Sequence, residues 1–89
     1  MARTLLLGAE AALPTTVGAA SSFSQATVVR LYNSSASTAH LVTLLDSEYQ
    51  GIGSMTIPAG TTEFIEKNHG DLLLAANAEV KGAKVGFTV

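Results

Sequence analysis

Apolar and polar residues alternate with a period of two over most of the chain, the spacing of a strand with one face covered. Thr27-Val28-Val29-Arg30-Leu31-Tyr32-Asn33 is rich in β-branched and aromatic residues, with Val29 and Leu31 on one face and Val28, Arg30 and Tyr32 on the other. A polar loop over 33–37 leads to a second strand, Thr38 to Asp46, with Leu41, Thr43 and Leu45 on one face and His40, Val42 and Leu44 on the other. Both of its faces are partly apolar, which predicts a central strand or one covered on two sides. Gly53 to Ile57 alternates again, Met55 and Ile57 inward, Ser54 and Thr56 outward.

Pro58-Ala59-Gly60 predicts a tight turn, because proline presets one backbone angle and glycine supplies a conformation other residues avoid. Thr61 to Lys67 follows as a fourth strand, with Phe64 inward and Glu63 and Lys67 outward. Asn68-His69-Gly70-Asp71 marks the next turn, with Asp71 as a cap on backbone amides. Leu72 to Ala75 gives a fifth strand and Lys81 to Val89 a sixth, in which Val85, Phe87 and Val89 alternate with Lys84, Gly86 and Thr88. A strand that runs to the last residue ties the terminus into a sheet.

The N-terminal third reads differently. Thr4 to Gly8 fits a short strand or an extended arm. Residues 9–25 are rich in Ala, Ser, Thr and Gly, and Pro14 ends any helical turn that Ala9-Glu10-Ala11-Ala12 could start. A loop this long in a small domain is usually functional or interface-forming. The expected organisation is an arm over residues 1–25 and a β-domain over 26–89. The fold class is all-β, a single antiparallel sandwich or barrel-like fold of six to seven strands with an extended N-terminal segment. The predicted core is Val29, Leu31, Leu41, Leu45, Met55, Ile57, Phe64, Leu72, Leu74, Val85 and Phe87.

Composition narrows what such a fold is for. At 89 residues without a cysteine, the chain is one domain with no disulfide and no Cys/His cluster for structural zinc. A domain this small has a modest core, so docking against neighbours adds stability and a homo-oligomer is expected. Charged residues are 13% of the chain, about half the usual share, which suits a surface covered by partners. A net charge of −2 with no basic run removes the electrostatic drive for nucleic-acid binding. No apolar run comes near the roughly 20 residues of a membrane span. Glu10 interrupts the short apolar N-terminus, so a secretory signal is not expected, and without export the Asn33-Ser34-Ser35 sequon is idle.

Catalytic arrangements are thin. Ser47, His40 and Asp46, or His69 with Asp71, could be assembled into a triad on paper, but neither set has a nucleophile on a strained turn or an oxyanion motif beside it. His69, Asp71 and Glu66 match no metal-ligand spacing. Glu63 and Glu66 have opposite strand parity, so they do not form a glycosidase pair. Gly51 and Gly53 are followed by no phosphate-binding pattern and fit a bulge or a close backbone approach. No catalytic residue, metal or cofactor is expected. The expected contact residues are Leu5, Leu6, Leu7, Pro14 and Phe23 of the N-terminal segment, with Arg30, Tyr32 and Tyr49.

Four stretches carry a resemblance. They are Arg3-Thr4-Leu5-Leu6-Leu7-Gly8, Val28-Val29-Arg30-Leu31-Tyr32-Asn33, the hairpin from Thr56 to Lys67, and the closing Val80 to Thr88. Together they resemble small virion structural proteins of tailed bacteriophages, especially those infecting marine cyanobacteria. The resemblance implies a non-enzymatic β-sandwich present in many copies on the particle. Its implied post is a capsid decoration or cement protein on the major capsid protein shell, assembled in the host cytoplasm and not secreted. A neck or tail subunit is the nearest alternative. A carbohydrate-binding adhesion sandwich using Tyr32, Tyr49 or the loop tips is another, although the chain has no Trp platform.

Overall fold

A computed structural model describes residues 3–88. Eight strands form two antiparallel sheets, and no α-helix occurs among the described residues. The strands are β1 (Arg3–Leu6), β2 (Ala11–Ala12), β3 (Val28–Asn33), β4 (His40–Leu45), β5 (Gly51–Ile57), β6 (Thr62–Glu66), β7 (Leu72–Ala75) and β8 (Val80–Thr88). The larger sheet runs β1-β8-β3-β6, with β2 also paired to β8. The smaller runs β5-β4-β7. The all-β antiparallel sandwich expected from the alternation is the fold observed.

Strand count exceeds the expected six to seven, because residues 9–25 are more than a loop. Ala11 and Ala12 pair with Gly82 and Lys81, and Val17–Ala19 forms one 3-10 turn. Ser21 exchanges two backbone hydrogen bonds with Leu73, at 3.0 and 2.8 Å. The Leu13 amide donates to Val80 O at 2.9 Å, and its side chain is buried in the centre of the sandwich. The segment is thus tied to both sheets, through β1 and β2 to β8 and through Ser21 to β7.

Paired residues in an antiparallel sheet share a face, so the register sorts inner from outer. In β3, Val29, Leu31 and Asn33 point inward. Their β8 partners are Lys84, Gly82 and Val80. In β7 the inward residues are Leu73 and Ala75, paired with Leu44 and Val42. The core is Leu13, Ala26, Val29, Leu31, Val42, Ile57, Leu73, Ala75 and Val80, with Phe23, Leu44, Met55 and Ile65 packed on its margin.

Several expected core positions therefore change face. Leu41 is 44% exposed, because it lies on the outer side of β4 opposite Thr56. Leu72 and Leu74 pair with Leu45 and Thr43 on that same outer side, leaving the inner one to Leu73. Phe64 and Phe87 are outside as well. In β8 two of the inner positions, 82 and 86, are glycine: a Cβ on Gly82 would sit 2.9 Å from the Phe23 ring and 3.0 Å from Leu13 Cδ1. The space above Gly82 is filled by Leu13 and Phe23 of the N-terminal segment, and of the apolar residues of β8 only Val80 joins the central core.

Lys67, expected outside, is buried. Its Nζ donates to Ala26 O at 2.7 Å and to Asn68 O at 3.3 Å. Burial lowers its pKa from the usual lysine value, and the nearby Asp71 carboxylate opposes that fall. Asp71 caps its turn as expected, accepting from the Asn68 amide at 3.2 Å. Buried Asn33 ties the 33–38 loop to the β5 end, donating to Thr38 O at 2.9 Å and Ile57 O at 2.8 Å. The expected role of Val89 at the end of the sixth strand lies outside the described residues.

Candidate interface

The feature that stands apart is the outer face of the larger sheet. Arg30 pairs with Phe64 of β6 and with Ala83 of β8. Val85 and Phe87 alternate with Ala83 and therefore point the same way, as do Leu6 and Thr4 of β1, their register partners. One face thus carries Leu6, Val28, Phe64, Val85 and Phe87, while the opposite face already holds the core.

These residues form a second apolar layer. The Phe64 and Phe87 rings meet edge-to-face with centroids 5.3 Å apart, a favoured geometry for two aromatic quadrupoles. Val85 is only 3% exposed although it lies outside the central core. Leu6 is 74% exposed, Phe64 45% and Phe87 49%. A contiguous apolar patch on an outer sheet face is the kind of surface that partners cover.

Polar groups frame the patch on one side. Arg30 lies 5.9 Å from the Tyr32 ring centroid, a cation–π distance. Its guanidinium also donates to Glu10 Oε2 and to Thr62 Oγ1, both at 3.4 Å. These contacts tie the guanidinium to the face that also carries Phe64, the register partner of Arg30. Such surface ion pairs add little stability by themselves, but Arg and Tyr at the margin of an apolar patch suit a binding surface.

The expected contact residues divide. Leu6, Arg30 and Tyr32 come together on this face. Leu5 and Leu7 are exposed but have the opposite parity on the β1 edge, where Leu7 lies over Gly86. Pro14 is half-buried and its carbonyl accepts from the Ala75 amide at 2.9 Å. Phe23 packs against the core beside Gly82. Tyr49 is exposed on the β4–β5 turn, with φ at 65°, away from the patch. Phe64, Val85 and Phe87 join the face as residues the alternation had placed inside; Gly82 and Gly86 opposite them were the signal that the inner positions are small.

The grouping of Ser47, His40 and Asp46 does not assemble. His40 opens β4 and Asp46 follows its end, roughly 20 Å apart along an extended strand. His40 Nε2 contacts Glu79 Oε1 at 2.8 Å, and Asp46 Oδ1 accepts from the Glu48 and Gln50 amides. Among the described residues no three His, Cys, Asp or Glu side chains converge as metal ligands.

No protein-family model and no curated protein matches the chain. Among solved structures, the Anabaena sensory rhodopsin transducer is similar over 98% of this chain and 93% of its own, at 17% identity and a TM-score of 0.35. A likeness of that size carries no functional inference.

Proposed function

We propose that the protein is a non-enzymatic structural subunit of a tailed-phage virion, a capsid decoration or cement protein that binds the major capsid protein shell. The observation that supports docking is the Phe64–Phe87 pair on the outer face of a sheet whose inner face is already filled. The phage setting comes from the sequence resemblance alone. A small domain with no disulfide gains stability by docking, because a partner that binds only the folded state shifts the folding equilibrium. Leu6, Phe64 and Phe87 are the contact centre in this proposal, with Arg30 and Tyr32 at its rim.

The test is quantitative mass spectrometry of purified particles, followed by rebinding of the purified protein to particles lacking it. A decoration protein is present on the order of hundreds of copies, as a symmetric shell requires, and Phe64→Ser with Phe87→Ser abolishes rebinding. A few to about a dozen copies would instead place it in the neck or tail. Absence from particles, together with specific binding on a glycan array, would replace the proposal with the adhesion alternative.

A further inference from the structure

The free edge of β5 is the other unexplained surface. A sandwich leaves sheet edges that pair with other chains unless something blocks them. The β7 edge is closed by the two hydrogen bonds between Leu73 and Ser21 and by the Ala75–Pro14 bond. β6 carries Glu63 and Glu66 and is followed by Lys67. β1 is four residues long and carries Arg3. β5, Gly51-Ile52-Gly53-Ser54-Met55-Thr56-Ile57, has seven residues with neither charge nor proline. Its one bulge lies at the Gly51 end, between the pairings of Leu44 and Leu45, and leaves Gly53 to Ile57 regular. Among the described residues no segment pairs with its outer edge.

The direction of its peptide groups follows from β4. Leu41 O accepts from the Ala76 amide beyond β7, so Leu41 turns its backbone groups toward β7. Its neighbour Val42 therefore turns toward β5 and bonds Met55, its register partner. Ser54 and Thr56, which alternate with Met55, are left with N–H and C=O aimed away from the sheet. Side chains sort by the same alternation: Gly53 and Met55 face the interior with their partners Leu44 and Val42. A Cβ on Gly53 would meet nothing within 4 Å. Beside it opens an apolar cavity of about 190 Å³ between the β5 and β6 edges, lined by Val42, Leu44, Met55, Ile65 and Leu73 among others.

We infer that β5 is the seam of a two-fold dimer of this chain, paired antiparallel with β5 of a second copy and centred on Ser54. This register puts Ser54 opposite Ser54 of the partner subunit, and each donates its outward N–H to the other's C=O. One residue along on the inner side, Gly53 faces Met55 of the partner subunit. The missing side chain at Gly53 and the cavity beside it leave room for that thioether, and symmetry repeats the fit on the other side. A two-fold brings no like charges together, because the strand has none. The second copy is favoured over an unrelated strand by this match of knob and hole within one seven-residue segment. Two short strands bury less than the 1,200–2,000 Å² of a tight complex, so the dimer is concentration-dependent.

Sedimentation of the full chain tests the seam, together with single cysteines in a protein that has none. The wild type is expected to shift from monomer to dimer between about 10 µM and 1 mM, the range for an interface of this size. Ser54→Pro removes an outward N–H and spares the β4 ladder, so it stays monomeric throughout with an unchanged circular dichroism spectrum. Hydrogen-bonded antiparallel partners have Cα atoms about 5.5 Å apart, within disulfide reach. Ser54→Cys therefore oxidises to a covalent dimer roughly tenfold faster or more than Thr56→Cys, whose own copy lies four residues, about 13 Å, along the partner strand. A wild type that remains monomeric at 1 mM, or equal oxidation of the two cysteine variants, overturns the inference. The cysteine comparison decides the matter if Ser54→Pro fails to fold.

Discussion

Phe64 on β6 and Phe87 on β8 meet across the intervening strand β3, their ring centroids 5.3 Å apart, with the nearly buried Val85 on the same face. The contact joins the two strands that flank β3, so it braces the larger sheet from outside. It also leaves about half of each ring in solvent.

The two roles of that pair separate by experiment. An aromatic pair of this kind contributes about 0.5–1.5 kcal/mol beyond its area burial. Replacing both rings with Ser is expected to cost about 2 kcal/mol of stability, well under the cost of emptying a fully buried site. Urea unfolding measures it. A loss above about 5 kcal/mol would mean that the layer is core rather than contact surface.

Gly82 tests the other side of the same sheet. A methyl group there meets Phe23 Cζ at 2.9 Å and Leu13 Cδ1 at 3.0 Å. Gly82→Ala is expected to destabilise by about 1–3 kcal/mol through overpacking. Phe23→Leu in the same chain should relieve part of that loss, giving a non-additive double-mutant cycle. Strictly additive losses would show that the N-terminal segment does not press on Gly82.

Gly82 also marks where the sequence stops being legible. Strands β3 to β8 and their turns follow from alternation, Pro58-Ala59-Gly60 and Asn68-His69-Gly70-Asp71. Alternation divides β8 into two sets of positions but does not say which set is inside. The apolar set, Val85 and Phe87, looks like core until Leu13 and Phe23 are seen filling the space above Gly82 from more than fifty residues away. Leu72-Leu73-Leu74 is apolar at every position, so its parity is set only by the pairing with β4. The bulge between Leu44 and Leu45 adds a shift that no local pattern announces. The face bearing Arg30 and Tyr32 was visible from chemistry, while the aromatic pair beside them depended on long-range packing.

The turn that delivers Phe23 to the core is strained. Phe23, Ser24 and Gln25 have φ of 53°, 57° and 60°, three successive left-handed residues. Each non-glycine residue there costs roughly 1–2 kcal/mol. Ser24 is exposed, and its carbonyl, not its side chain, takes the Lys84 ammonium at 3.1 Å. Ser24→Gly keeps that contact and is expected to stabilise the protein by about 0.5–1 kcal/mol, after allowance for the greater freedom of glycine in the unfolded chain. A raised urea midpoint at unchanged slope is the expected result, and a lowered one would show that the turn relaxes in solution.

Lys67 sets a pH dependence of definite sign. Its buried ammonium has a pKa below the ordinary lysine value of 10.5, chiefly from loss of solvent, with Asp71 working against the shift. In the window between the folded pKa and 10.5, the unfolded chain binds more protons than the folded one. Stability contributed by this group therefore rises as pH climbs through that window, and the burial penalty is fully present below it. Lys67→Met removes the titration while keeping the apolar stem, at the cost of the bonds to Ala26 O and Asn68 O. The stability advantage of wild type over this variant is expected to grow between neutral pH and about 10.5 and to level off beyond it. An advantage that shrinks with rising pH would mean that attraction to Asp71 outweighs desolvation. Asp71→Asn would then be expected to restore the rising trend, because it removes the opposing charge and leaves the buried ammonium without its counter-ion.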